Sequence, residues 1–285
     1  MIITNQFLRP EMPFEYPKGN KIIFEQYFYN KFVESQTETD RIYLPIFWTP
    51  FYIQKEYGKG DISSIQNFLN SLDHRKKYYT IVQYDDNILN DLTNIDILIF
   101  CQGGHGKYRS KSYPIPLNCQ IQSTGRTNLN RDIFASFVGG IAGRHHIREK
   151  MQKSLINKND YFISESLGYD HFLNTMSRST FSLCPRGYGQ TSFRICESLF
   201  CGSIPVYIYD DPLIPFQDQF DFHDIGILID QEDIKQITDI LESKTQKDID
   251  RYLVNGQKIY ADYFSYSGCY NQILNILEKP NHDTF

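Results

Sequence analysis

The stretch 179–209, STFSLCPRGYGQTSFRICESLFCGSIPVYIY, restricts the fold more than any other part of this chain. An apolar run ends at a polar turn holding two glycines. A segment of helical period follows, then a small-residue turn and a second apolar run. Two buried strands joined through a helix must run parallel in one sheet, because the helix returns the chain to the end from which it started. Such a sheet is covered on both faces. The stretch therefore demands an α/β architecture.

The rest of the chain alternates in the same way. Residues 24–35 have an amphipathic helical period, and 41–53 read as a strand running into a proline-broken loop. Helical period returns at 61–73, with Asp61 as the expected cap. The β-rich run 78–86 ends in acids, and the buried strand within 95–106 ends in glycines. A Pro-, Ser- and Thr-containing stretch at 114–130 reads as a boundary, after which the alternation restarts. Strands are expected within 132–140, 179–185, 203–209 and 224–229, and helices within 145–155, 193–202, 232–243, 247–264 and 271–279. Two such halves imply two Rossmann-like domains facing across a cleft, with boundaries at 1–125 and 126–265. The terminal helix within 266–285 is expected to pack back on the first domain. With 285 residues, 41% hydrophobic, the chain is large enough to build both cores.

Composition excludes several classes. A net charge of -5 gives no broad basic surface for nucleic acid. No run of about 20 apolar residues is present, and the first residues lack a signal-peptide pattern, so a soluble, cytoplasmic protein is expected. The six cysteines form no C-x-x-C pair and read as buried, reduced thiols. GGHGKYRS at 103–110 fails the phosphate-loop pattern, because Cys101 holds the first glycine position and Tyr108 follows Lys107. The adjacent His145 and His146 point in different directions on a helix and read as surface residues. A dehydrogenase lacks support, since no G-x-G-x-x-G turn opens a helix near the start.

In open parallel sheets, ligands bind beyond the carboxyl ends of the strands. Three loops meet that condition: CQGGHGKYRS, VGGIAGRHHIR and CPRGYGQTS. In the third, which runs Arg186-Gly187-Tyr188-Gly189 and on to Ser192, the glycines permit close backbone approach to a ligand. Thr191 or Ser192 can cap the next helix, whose free N–H groups favour anions. Arg186 and Arg194 add charge suited to phosphate. Glu197 shares a helix face with Arg194 at i+3. A carboxylate there cannot serve a phosphate, but it can accept hydrogen bonds from sugar hydroxyls. Diphosphate plus ribose is the chemistry of a nucleotide-sugar donor. The plain alternative is an Arg194–Glu197 ion pair on a solvated helix face.

The stretch FSLCPRGYGQTSFRICESLFCGSIPVYI closely resembles the signature of exostosin-type glycosyltransferases, glycosyltransferase family 47. The likeness continues through DDPLIPF at 210–216 and ADYF. FVGGIAGRHHIREKM resembles the family's strand, glycine turn and Ile-Arg helix; YLPIFWTPFYI and YYTIVQYDDN resemble weaker N-terminal blocks. The likeness is strong over about 135–265 and moderate over about 40–118, and the small size resembles soluble members from large DNA viruses or bacteria. It implies a GT-B fold, with an acceptor domain first and a donor domain second. It also implies inverting transfer from a UDP-sugar (xylose, galactose, glucuronic acid or N-acetylglucosamine) to a glycan hydroxyl. It places Arg186, Ser192, Arg194 and Glu197 in the donor site, and Gly139, Gly140 and Arg144 at the facing loop. No cofactor or metal is expected, because basic loops supply the charge; Asp85 and Asp86 as ligands for a divalent cation are the rival reading. The catalytic base should come from the first domain. His105 is the first choice, Asp85 and Asp86 are rivals, and Glu56 is a distant one. The aromatic segment FWTPFY at 47–52 is either core or a surface for stacking sugar rings. An inactive carbohydrate- or nucleotide-binding protein of the same fold is the alternative function.

Overall fold

The computed structural model describes residues 5–16, 22–121, 130–141, 146–156 and 158–278. Two separate parallel sheets organise the chain. The first is built from β1 (Ile42–Tyr43), β2 (Lys77–Val82), β3 (Asp96–Cys101) and β4 (Ser112–Pro114), in that spatial order. The second contains β5 (Ile133–Val138), β6 (Tyr161–Ser164), β7 (Ser179–Pro185), β8 (Ile204–Tyr209) and β9 (Ile227–Asp230), in the order β6-β5-β7-β8-β9. Every strand pair is parallel.

The helices cover the sheets. In the first half these are α1 (Phe24–Ser35), α2 (Trp48–Gln54) and α3 (Ser63–Asn70). In the second half α4 (His146–Leu155), α5 (Tyr169–Arg178), α6 (Phe193–Cys201), α7 (Ile237–Glu242) and α8 (Gln246–Ile259) play that part. The last helix, α9 (Tyr266–Leu277), leaves the second half and packs on the first. Its Tyr266, Tyr270 and Ile273 share one core with Phe24 and Phe28 of α1 and Tyr79 of β2. The other face of the first sheet packs on α2 and α3 through Trp48, Tyr52, Ile65 and Leu69. Two parallel α/β units facing across a cleft form the GT-B arrangement.

The proline-broken loop expected toward the end of 41–53 is instead α2. Pro50 falls in its first turn, where the missing N–H costs no helical hydrogen bond. The preceding strand is cut to two residues because Pro45 cannot donate to the ladder. Trp48 is fully buried and donates its indole N–H to Thr80 Oγ1 at 2.9 Å, so this segment is core and offers no surface for stacking sugars. The segment from 61 starts its helix at Ser63, whose N–H is taken by Asp61 Oδ1 at 2.9 Å. Strand β6 and helix α5 carry no counterpart in the sequence reading.

Candidate functional site

The β7–α6 unit sets the geometry. Pro185 of β7 pairs with Ile208 of β8, so the loop after β7 starts beside the loop after β8. Arg186 is thereby brought to Asp210: Nε stands 2.6 Å from Oδ1, and Nη2 donates to Oδ2 at 2.8 Å. Its Nη1 also donates to the Tyr188 carbonyl at 2.9 Å. The structure therefore sets Arg186 beneath the glycine loop as its support, with its charge met by a carboxylate. Asp210 and Asp211, just after β8, both carry ion pairs. Asp211 accepts from Gln190 Nε2 at 2.7 Å and from both terminal nitrogens of Arg109, which belongs to the first unit.

Ser192 caps α6, accepting the Arg194 N–H on Oγ at 3.3 Å. Gly202 ends the helix in the left-handed region at φ 70°. The helix is buried rather than solvated: Cys196, Glu197, Ser198 and Cys201 all lie inside. The solvated ion-pair reading of Arg194 and Glu197 is therefore excluded. Arg194 folds back over β5, donates Nε and Nη2 to the Val138 carbonyl at 3.1 and 2.5 Å, and stacks 4.6 Å from the Phe137 ring centre. A Cβ at Gly139 would sit 1.9 Å from Arg194 Nη2, and its φ of 155° is one that residues with side chains rarely adopt. Burial pushes the Glu197 carboxyl up to about 7 against the pull of Arg194, and no hydrogen bond reaches it among the described residues.

Three cavities meet here. A central cavity of about 510 Å³ is lined by Asp85, Gly140, Arg148, Gly187, Thr191 and Arg194, among others. The first turn of α6 opens onto it through Ser192 and Phe193. Arg148, on α4, is the buried cation that the sequence reading did not single out. Its Nη1 donates to the Gly140 carbonyl at 2.9 Å and its Nε to the Arg186 carbonyl at 3.3 Å. The only signal for it was the Ile-Arg helix following the glycine turn. A smaller cavity of about 360 Å³ shares Phe193 and Arg194 with the central one and holds Gly139, Tyr169, Phe172 and Glu197. Arg144 and His145 lie outside the described residues. His146 Nε2 contacts Gln231 Oε1 at 2.8 Å, away from these cavities.

A third cavity, of about 530 Å³, adjoins the central one in the first unit and shares Tyr16, Asp85 and Tyr188 with it. Asp85 is thus the acid common to both. Burial and the neighbouring Asp86 push its carboxyl up to about 7. Its carbonyl accepts the His105 N–H at 2.9 Å. Asp86 accepts from Tyr188 Oη at 3.1 Å and stands 3.7 Å from His105 Nδ1. His105 packs at 5.4 Å on the Tyr188 ring, and burial, helped by Arg186, lowers its pKa. It lines neither the central nor the third cavity among their described walls. Glu56 is exposed, with φ 53°. The two units are tied together at this point by Gln190 N–H to the Gly103 carbonyl, 3.0 Å, as well as by Arg109–Asp211 and Tyr188–Asp86. No group of three or more metal-ligating side chains occurs among the described residues. No helix among them is long and apolar enough to cross a membrane.

Fold and site define a two-unit α/β protein whose interdomain cavity joins buried guanidinium groups to an acid across the cleft. The exostosin GT47 domain model matches residues 100–244, and the chain belongs to that family. The chain is 36% identical over 122 residues to a probable glucuronosyltransferase of Oryza sativa subsp. japonica, a match covering 40% of this chain and 28% of that protein. It is 32% identical over 120 residues to a probable beta-1,4-xylosyltransferase of Arabidopsis thaliana, covering 39% of this chain and 29% of the relative. The matched part thus spans less than a third of either relative. Among solved structures, the pneumococcal O-GlcNAc transferase GtfA with UDP and GlcNAc aligns with a TM-score of 0.45 at 14% identity, over 91% of this chain and 61% of that one.

Proposed function

We propose that the chain is an inverting glycosyltransferase that moves a sugar from a UDP-sugar to a hydroxyl of a glycan acceptor. The observation that carries this reading is the central cavity itself. It has Arg148, Arg194 and the α6 N-terminus on one side and Asp85 on the other. In this reading the diphosphate lies between Arg148, Arg194 and the first turn of α6. The nucleoside enters the smaller cavity, where the unbonded Glu197 carboxylate accepts from ribose hydroxyls.

Asp85 is the base. Its carboxylate takes the acceptor hydroxyl proton as that oxygen attacks the anomeric carbon from the face opposite the diphosphate. The bond from that carbon to the diphosphate breaks, and its electron pair goes to the leaving oxygen. The developing charge there meets two guanidinium groups held in place by carbonyls. Asp86 and His105 hold Tyr188 and the Asp85 loop in position rather than exchanging protons with substrate. The charge supply makes a metal unnecessary in this account.

The test is release of nucleoside diphosphate by purified protein, with EDTA present, from UDP-xylose, UDP-glucuronic acid, UDP-galactose and UDP-N-acetylglucosamine. The names of the relatives put the first two at the head of the panel. Release from one donor supports the reading. Release only after a divalent cation is restored would remove the metal-free part of it.

A further inference from the structure

The third cavity has a composition unlike the other two. Aromatic rings dominate it: Phe14, Tyr16, Tyr57, Tyr84 and Tyr188 all contribute. Four of them are exposed large side chains, with Tyr57 60% and Tyr188 65% exposed. Exposed tyrosines gathered around one hollow are costly unless something covers them. Tyr57 is moreover held in the left-handed region at φ 59°, directly after Glu56 at φ 53°. Two consecutive non-glycine residues in that region mark stored strain, which is retained where a side chain must be presented. Tyr84 fixes the position by donating its hydroxyl to the Tyr57 carbonyl at 3.1 Å. Gln83 also lines the hollow, and its Nε2 is buried with no acceptor among the described residues.

A pyranose ring has flat C–H faces that pack on aromatic rings and equatorial hydroxyls that accept from an amide. The ionisable groups among the described walls are Asp85, Asp86 and Lys59, besides the tyrosines. Asp85 stands at the end that joins the central cavity, where the reacting sugar sits in this reading, and Asp86 follows it, accepting from the shared Tyr188. A carboxylate or sulfate on that sugar would meet like charge.

We propose that this aromatic hollow binds the end of the acceptor glycan, and that the terminal sugar it takes is uncharged. The inference rests on the transferase reading above but is read out by a separate measurement.

The experiment uses the full chain with two probes: a neutral β-1,4-linked pyranose tetrasaccharide, and the same tetrasaccharide ending in a uronic acid at its non-reducing end. Saturation-transfer NMR reads binding whether or not turnover occurs. Binding of the neutral probe at least tenfold tighter than the acidic one supports the proposal. Equal or tighter binding of the acidic probe overturns it. Ile53→Trp fills the hollow from α2 without touching the central cavity. It should weaken neutral-probe binding at least tenfold and leave UDP binding unchanged. Unaltered probe binding in that variant also overturns the proposal. If Ile53→Trp does not fold, Tyr57→Gly, which suits the positive φ, serves in its place with an expected loss of several-fold. Failure of UDP to bind, with the probe result intact, would count against the transferase reading alone.

Discussion

Asp85 and Gly189 meet across the cleft. A Cβ at position 189 would lie 2.3 Å from Asp85 Oδ1 and 2.9 Å from the Gly103 carbonyl oxygen. The proposed base and the proposed donor loop are therefore in direct contact, and only glycine permits it. Gly189→Ala should keep the fold, because the clash falls at the interface and not in either core. It should lower transfer at least tenfold by moving Asp85 or spreading the units. Circular dichroism and initial rates measured together check this; unchanged rates would show that the contact has no part in catalysis.

Removing the base separates chemistry from binding. Asp85→Asn keeps the shape of the side chain and should reduce transfer by about 100-fold or more, the range for loss of a general base. UDP affinity should stay within a fewfold, as the proposed nucleotide site lies on the other wall. His105→Ala should cost far less, since its ring lines neither the central nor the third cavity. Should His105→Ala lose as much as Asp85→Asn, the assignment of the two residues would have to be exchanged.

Because the base must be ionised, its raised pKa sets the acidic limb of the rate. With Asp85 at about 7, kcat at saturating donor should rise with pH through about 7 and then level. A rate already flat from pH 5 to 8 would contradict the assignment.

Glu197→Gln should weaken UDP binding by about tenfold, from the loss of a charged acceptor for the ribose hydroxyls. Calorimetric titration measures it. An unchanged affinity would place the nucleoside elsewhere.

Stability should also depend on pH, and three buried acids with raised pKa outweigh the opposing lowered pKa of His105. Glu25 accepts from Thr49 N–H, Thr49 Oγ1 and Gln83 N–H, yet burial pushes it up to about 8; Asp85 and Glu197 stand at about 7. In the unfolded chain all three titrate near 4. Between about pH 4.5 and 8 the folded protein thus holds more protons than the unfolded one, so stability falls as pH rises. The urea midpoint should be lower at pH 8.5 than at 5.5. The difference should shrink in Glu25→Gln, which keeps the Oε1 acceptor but cannot ionise. A midpoint that climbs with pH would contradict this.

How much of this was legible in the sequence depended on whether a residue's constraint was local. The β7–α6–β8 unit was, because both strands are buried along nearly their whole length and the helix has its own cap and terminal glycine. Strand β6 was not: it is short, lies at the sheet edge, and buries Tyr161 alone. Helix α5 was passed over although its sequence carries a helical period; the face it buries is short, with Leu173, Thr175 and Met176 inside. In the site, the glycine loop could be read because close backbone approach demands glycine. The pairing of Arg186 with Asp210 could not, because it depends on the register of Pro185 with Ile208, which local sequence does not encode. The same holds for Asp85, whose rank above His105 follows from its place between two cavities.

The most direct test of the account is to give wild-type protein and Asp85→Asn each donor of the UDP-sugar panel, with the neutral tetrasaccharide and EDTA, and to measure UDP release. Release by the wild type from one donor, stimulated by the tetrasaccharide, is expected, with near-complete loss in Asp85→Asn and UDP binding intact. Equal release by the two proteins, or binding of UDP with no release from any donor, would contradict the account.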